Sequence, residues 1–435
     1  MPVPTGRLAL AAAVASLVVL AMPVAVPTGL LIVDGALAVL AVADWALAPG
    51  PQRVGVTRGL PAVLPLGGDG DVVWTVRNPL RRQLRVGLAD ALAPSLRAGT
   101  RRIRLAVPAG GSALARTGIR PSRRGLFEPG ELVVRTEGPL GLLARQRRRL
   151  LPGALRVYPP FASRKEAELR IDRARILEVG LRSARGRGGG TEFDQLREYS
   201  VDDEFRRMDW AATARTGKPI VRTYRAERNQ TVVILLDNGR IMAGRVAGVP
   251  RVEHAMDAVL MLTAVATRLG DRAGLVVFDR RVRAVVPPSH RGDQLARVSE
   301  AMYQLEPELA ESDYQGAFTE TLVRFRRRAL LVVLTELADQ AVVDTLLGAL
   351  PLILRSHLVV IGAVQDPDLV GWAGQTPSDV SASYRKAAAL AALEDRRRLV
   401  ARLRRFGATV VDGAPGALAP ALADAYLRVK ATGRL

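Results

Sequence analysis

Thr231-Val232-Val233-Ile234-Leu235-Leu236-Asp237 is an unbroken apolar run closed by a carboxylate. A strand exposed on one face alternates polar with apolar residues. A run that is apolar throughout reads as a parallel strand buried on both faces. Working outward, a helix-period segment (Val252 to Leu269) follows, then Gly274-Leu275-Val276-Val277-Phe278-Asp279. Further apolar runs stand at Ala329 to Leu334, His357 to Ala363 and Ala408 to Val411, with helical segments between them. One of these, about Ser381 to Phe406, is amphipathic and Arg-rich. Strands alternating with helices predict a doubly wound α/β domain over residues 231–435. Ligands of such folds lie beyond the carboxyl ends of the strands, which gathers Asp237, Asp279 and Thr335-Glu336 at one rim.

Upstream the grammar changes. Residues 51–160 carry short alternating runs, such as Val72 to Val76 and Ile103 to Val107, between turn clusters like Gly67-Gly68-Asp69-Gly70. That spacing predicts an antiparallel β-sandwich. Residues 161–190 read as a helix from Ser163 to Val179, with Ser163 as N-cap and Glu166 three residues on, followed by a Gly/Arg linker.

Residues 1–50 hold two apolar runs, Leu8 to Val26 and Leu30 to Ala48, parted by Pro27-Thr28-Gly29. Nineteen helical residues reach roughly 28 Å, close to a hydrocarbon core, so a transmembrane α-hairpin is expected. Asp34 and Asp44 oppose this, since a mid-bilayer carboxylate costs about 2.5–3.5 kcal/mol, but both lie away from the centre of the run. A cleaved signal peptide is the rival reading of the first run; the second run directly behind it favours a two-span anchor. Arg7 precedes the pair and Arg53 and Arg58 follow it, which predicts an inner (cytoplasmic) membrane protein with its bulk in the cytosol.

Composition narrows the chemistry. The 435 residues include no cysteine and three scattered histidines (His254, His290, His357), which argues against thiolate and His-built metal sites and Cys nucleophiles. The net charge of +21 comes from 59 Arg and 4 Lys spread along the chain, with 4% aromatics. Without a stacking platform, this skew reads as a GC-rich coding bias with some attraction to anionic lipid, and no nucleic-acid partner is expected.

Residues 191–230 differ from their surroundings: eight acids and eight bases are interleaved with five aromatic residues. The candidate site residues are Glu192, Phe193, Arg197, Glu198, Tyr199, Asp203, Arg206, Asp209, Trp210 and Arg215. Arginine forks can hold carboxylates bidentately while stacking on rings, so the segment reads either as a self-satisfied cap on the α/β domain or as a recognition surface. Trp210 is expected to be buried, with Arg197 and Arg215 facing outward.

This segment resembles the signature of the bacterial family catalogued as domain of unknown function 58, which usually reads R-E-Y-x-P-G-D-D-x-R-x-I-D-W-x-A-x-A-R. Arg197, Glu198, Tyr199, Asp203, Arg206, Asp209, Trp210, Ala212, Ala214 and Arg215 match it, while Val201-Asp202 replaces the usual Pro-Gly. Residues Arg123-Arg124-Gly125 and Gly138-Pro139-Leu140-Gly141-Leu142 match further motifs. The resemblance implies a membrane hairpin, a strand-rich region and a von Willebrand factor A-like domain, and an ATPase partner of the MoxR-type AAA+ class. A usual von Willebrand A-type domain binds Mg²⁺ through D-x-S-x-S. Here Asp237-Asn238-Gly239-Arg240-Ile241 lacks both serines; the Asp that such a site takes from a later loop is matched at best by Glu336, with Asp313 as a third acid. A degenerate site at Asp237 and Glu336 without a bound cofactor is therefore expected.

The expected function is a membrane-anchored, non-catalytic cytosolic scaffold or adaptor that binds protein partners. The alternatives are a metal-dependent phosphoesterase using acids at the rim, and an exported adhesion protein.

Overall fold

The computed structural model describes residues 2–21, 25–184, 192–201, 203–225, 230–337 and 340–432. Of residues 177–184, 192–194, 223–225 and 340–343, only the backbone is described. The expected Gly/Arg linker lies mostly outside the described residues, as does Asp202 of the signature. The chain divides into two compact units, Met1–Tyr158 and Pro159–Leu435.

The first unit opens with β1 (Pro2–Pro4), then helices α1 (Gly6–Ala21) and α2 (Val26–Leu47). Pro27-Thr28-Gly29 does not part the helices, since α2 begins at Val26. Pro27 instead occupies the first turn of α2, where its missing N–H costs no helical bond. The first helix is accordingly shorter than its apolar run. Strands β2 (Gly55–Gly59), β3 (Val63–Pro65), β4 (Gly70–Arg77), β5 (Leu84–Asp90), β6 (Arg102–Val107) and β7 (Ser112–Ile119) follow, then β8 (Gly125–Phe127), β9 (Glu131–Glu137), β10 (Leu143–Leu150) and β11 (Leu155–Tyr158). They form three sheets, ordered β1-β10-β9-β5-β6, β2-β4-β7 and β3-β11-β8. All three contribute to one apolar core, whose alternate residues include Val72, Trp74 and Val76 of β4 and Leu84, Val86 and Leu88 of β5. Within that core the Trp74 indole donates to Asp90 at 2.6 Å, and Arg58 pairs with the same carboxylate at 2.7 Å, so its charge is compensated.

The second unit begins with α3 (Arg164–Ala184). Ser163 holds the N-cap position its spacing suggested, its carbonyl accepting from the Ala167 amide at 2.9 Å, but its side chain is directed elsewhere. Its hydroxyl and its amide both donate at 3.0 Å to the buried Asp257 carboxylate. Strand β12 (Glu192–Glu198), α4 (Trp210–Thr216) and β13 (Ile220–Arg225) make the signature segment. The doubly wound part then runs β14 (Thr231–Asp237), the short pair β15 (Arg245–Val246) and β16 (Val249–Pro250), α5 (Arg251–Arg268), β17 (Arg272–Phe278) and β18 (Val282–Ser289). It continues through α6 (Gln294–Met302), α7 (Tyr314–Arg324), β19 (Leu330–Leu334), α8 (Gln340–Leu354), β20 (Leu358–Val364), α9 (Pro367–Gly374), α10 (Val380–Arg405), β21 (Thr409–Gly413) and α11 (Leu418–Ala431). The sheet order is β18-β17-β14-β19-β20-β21, parallel except for the edge strand β18.

Both sheet faces are covered, as the apolar run of β14 requires. Val232, Ile234 and Leu236 pack with α5 and α11 on one face; Val233 and Leu235 pack with α7 and α8 on the other. The chain winds outward from β14 in both directions, so the crevice between the carboxyl ends of β14 and β19 is the topological switch point. Asp237 and Thr335-Glu336 stand there.

Candidate functional site

The signature segment folds largely on itself. Strands β12 and β13 pair antiparallel, with Arg197 opposite Val221 and Glu198 opposite Ile220. Asp209 is the N-cap of α4: its Oδ1 accepts from the Ala212 amide at 3.0 Å, and its Oδ2 accepts from Arg222 Nε at 2.8 Å. The amide bond, then Arg222, hold the Asp209 carboxyl below its ordinary range. Gly217, at φ 69°, ends the helix in the left-handed conformation that glycine adopts without strain.

Arg197 donates to Asp203, which also accepts the Ser200 amide at 2.8 Å. The pair fastens the turn at Ser200, and Arg197 is half-buried rather than outward. Glu198 pairs with Lys218 at 2.7 Å and raises the lysine's pKa. Tyr199 is half-buried, its amide bonded to Pro219 O at 2.9 Å. Arg206 and Arg215 are exposed. The side chains of Glu192 and Phe193 lie outside the description; their backbones pair with Arg225 and Tyr224.

The expectation for Trp210 is overturned. As the first residue of a short helix capped by Asp209, it projects away from the strand pair and is 61% exposed. Phe205, 64% exposed, meets it edge to face at 5.6 Å. Leu196 and Val201 add exposed apolar surface in the same segment. Identity alone could not assign these directions, because it was the pairing of Asp209 with Arg222 that turned the carboxylate inward and the indole outward.

The sheet rim is built differently. Asp237 is fully buried, and all of its acceptor capacity is used within the chain. Oδ1 accepts from the Gly239 amide at 2.9 Å and Ser312 Oγ at 2.5 Å; Oδ2 accepts from Tyr314 OH at 2.8 Å and Thr335 Oγ1 at 2.6 Å. Gly239 stands where the first serine would be, because a Cβ there would lie 2.1 Å from Ser312 Oγ and 3.0 Å from Ala310 O. Ile241, at the second serine position, packs against the core. Burial, then the Asp237 charge, push the Tyr314 hydroxyl well above its ordinary pKa and keep it a donor.

Glu336 faces cations. Arg396 donates to its Oε1, which also accepts the Leu337 amide at 2.9 Å, and Arg251 lies 3.2 Å from Oε2. Arg396 also holds Asp412 through two bonds of 2.8 Å and donates to Val364 O at 3.1 Å. Its guanidinium thus spans the carboxyl ends of β19, β20 and β21. Burial works to lower its pKa, but the hydrogen bonds of Asp412 and the charge of Glu336 outweigh that and hold it above the ordinary arginine value. Sequence reasoning missed Arg396, which is indistinguishable from its neighbours Arg397 and Arg398 along an Arg-rich helix. Asp279 accepts from Arg283 at 2.5 Å, and Asp313 caps α7 through the Gly316 amide at 2.9 Å. Among the described residues no group of three His, Cys, Asp or Glu side chains is arranged to hold a metal ion.

The second unit is thus a doubly wound α/β domain with a self-bonded insert ahead of its first strand. Residues 195–369 match the family described as Protein of unknown function DUF58. Over 100 residues it is 31% identical to uncharacterized proteins of Mycobacterium tuberculosis (Rv1480) and Mycobacterium bovis (Mb1516). Those matches cover 23% of this chain and 32% of each relative, so the chain spans about a third of the relatives' length. Among solved structures it is similar to the conserved hypothetical protein BatB of Bacteroides thetaiotaomicron (TM-score 0.29, 15% identity, 46% of this chain and 99% of that one). It is also similar to the vWF domain of the type V pili tip protein Mfa5 of Porphyromonas gingivalis (TM-score 0.22, 15% identity, 26% of this chain and 39% of that one).

Proposed function

We propose that this protein is a membrane-anchored, non-catalytic scaffold whose von Willebrand A-like domain and signature segment dock a protein partner. The observation that carries the reading is the exposed Phe205–Trp210 pair beside Arg206 and Arg215 on a capped, internally braced segment. Exposed aromatics with neighbouring arginines are the residue types that dominate binding energy at protein interfaces. The resemblance suggests a MoxR-type AAA+ ATPase as that partner.

Non-catalytic character is supported by the rim, where Asp237, Asp279 and Glu336 already have donors or cations from the chain. The donor set does not fit Mg²⁺, since an ion on either oxygen of Asp237 would have to compete with two hydrogen-bond donors there and face the guanidiniums on Glu336. Anchoring is supported by α2, whose 22 residues reach about 33 Å. It is supported too by apolar side chains such as Leu17, Leu31 and Val39, which are more than two-thirds exposed. Strand β1 before α1 and Thr136, which donates to Pro49 O at 2.6 Å just after α2, belong to one sheet. Both feet of the helix pair therefore meet at one end, which favours a two-span hairpin with its flanks on one side of the membrane, the cytosolic side by the charge of Arg7 and Arg53.

The test is titration of a purified MoxR-type ATPase from the same genome against the full chain in detergent. Trp210→Ala should weaken binding at least tenfold, while melting stays within the ~0.5 kcal/mol typical of a surface substitution. Unchanged affinity would remove the aromatic pair from the docking surface.

A further inference from the structure

A cavity of about 490 Å³ lies where the foot of α1 meets the five-stranded sheet. Arg7, Arg85 and Arg104 line it with one carboxylate, Glu137. Arg85 and Arg104 belong to one sheet face, since Arg85 is opposite Ala106 and Arg104 is opposite Gly87. Both are exposed, and among the described residues neither has a carboxylate partner. Arg7 is held in place by a 3.3 Å bond to Leu140 O. Arg7 and Leu10 also line a second, apolar groove of about 730 Å³ that runs between α1 and α2 along Val14, Val18, Val33 and Leu37. The cationic cavity and the apolar groove thus adjoin, sharing Arg7 and Leu10 in their linings.

We propose that this composite site binds one anionic phospholipid, with its phosphate among Arg7, Arg85 and Arg104 and an acyl chain along the α1/α2 groove. Arginine forks match phosphate oxygens bidentately, and three guanidiniums against one carboxylate leave an excess of two positive charges for a headgroup to neutralise. A free phosphate would use the same cations, but only a lipid would also fill the adjoining groove. The inference rests on the membrane-anchored reading, and its test separates the two.

The full chain, purified in mild detergent, is offered an equimolar mixture of dioleoylphosphatidylglycerol and dioleoylphosphatidylcholine, and retained lipid is counted by native mass spectrometry. One phosphatidylglycerol should be retained in at least tenfold preference. Arg85→Gln with Arg104→Gln should abolish that preference without changing melting, whereas Arg102→Gln, on the same sheet face but outside the cavity, should preserve it. Ala36→Phe, which fills the groove, should also reduce retention. Equal loss with Arg102→Gln would mean only a diffuse basic surface, and retention that survives the double variant would overturn the site. Displacement by stoichiometric glycerol 3-phosphate would assign the cations to a soluble phosphate and overturn the lipid. Carbonate extraction of membranes is the separate check on anchoring. A chain released to the soluble fraction overturns both readings, whereas a chain that stays in the membrane with no arginine-dependent selectivity overturns this one alone.

Discussion

At the scale of single residues, the informative carboxylates are those whose partners lie far along the chain. Asp257, buried and bonded to Ser163, has its pKa raised, first by burial. The folded state therefore holds its proton more tightly than the unfolded chain does. The resulting stability is fully present below the unfolded value of about 3.9 and is lost as pH rises through the higher folded value. Asp257→Asn keeps an oxygen acceptor for both Ser163 donors and abolishes that titration. Its denaturant midpoint should be at least that of the parent at pH 7, and the difference should vanish towards pH 3. A variant less stable at every pH would show that the carboxylate charge itself is needed. Ser163 shows what local reading misses: the S-x-x-E spacing is present, but a carboxylate 94 positions away takes the hydroxyl.

At the scale of elements, two polar clamps fix helices in place. Asp44 of α2 is buried, and its carboxylate accepts from the amides of Leu140, Leu142 and Leu143 at 2.7, 2.7 and 3.0 Å. Gly138 must be glycine, since a Cβ would lie 2.3 Å from the Asp44 carboxylate. The Gly-Pro-Leu-Gly-Leu motif is thus a cradle for a helix carboxylate, and Asp44 is part of the first unit's polar packing. Asp44→Ala should cost roughly 3 kcal/mol, because three amides lose a charged acceptor. Gly138→Ala should cost a similar amount, and the double variant should cost less than the sum because both break one contact. Thermal melting of the full chain in detergent is the measurement, and additive losses would refute the shared clamp. At the rim, Arg396→Met should destabilise by about 3–5 kcal/mol, as breaking a buried ion pair does, through the charge left on Glu336. Urea midpoints would check this, and a cost below about 1 kcal/mol would mean that Arg251 alone compensates Glu336.

At the scale of the whole molecule, a strand-rich unit bearing an apolar helix pair precedes a doubly wound unit whose residues 195–369 match the DUF58 family. An export-dependent reporter fused after Leu435 should stay silent, given Arg7 and Arg53 on the two flanks of the helix pair; activity would reverse the orientation. The sequence by itself determined the α/β architecture, because strands buried on both faces must be apolar throughout and helices covering them must be periodic. It also made the signature and the poverty of the Asp237 motif legible, since these are matters of residue identity. Only the tertiary structure decided which polar groups are spent. Asp237 meets Ser312, Tyr314 and Thr335 across 75, 77 and 98 positions, and Asp44 meets Leu140 across 96. It likewise turned Trp210 outward and Arg197 inward. Periodicity reports which face of an element is apolar, but the partner of a buried charge is chosen by contacts between distant segments, which no local spacing encodes.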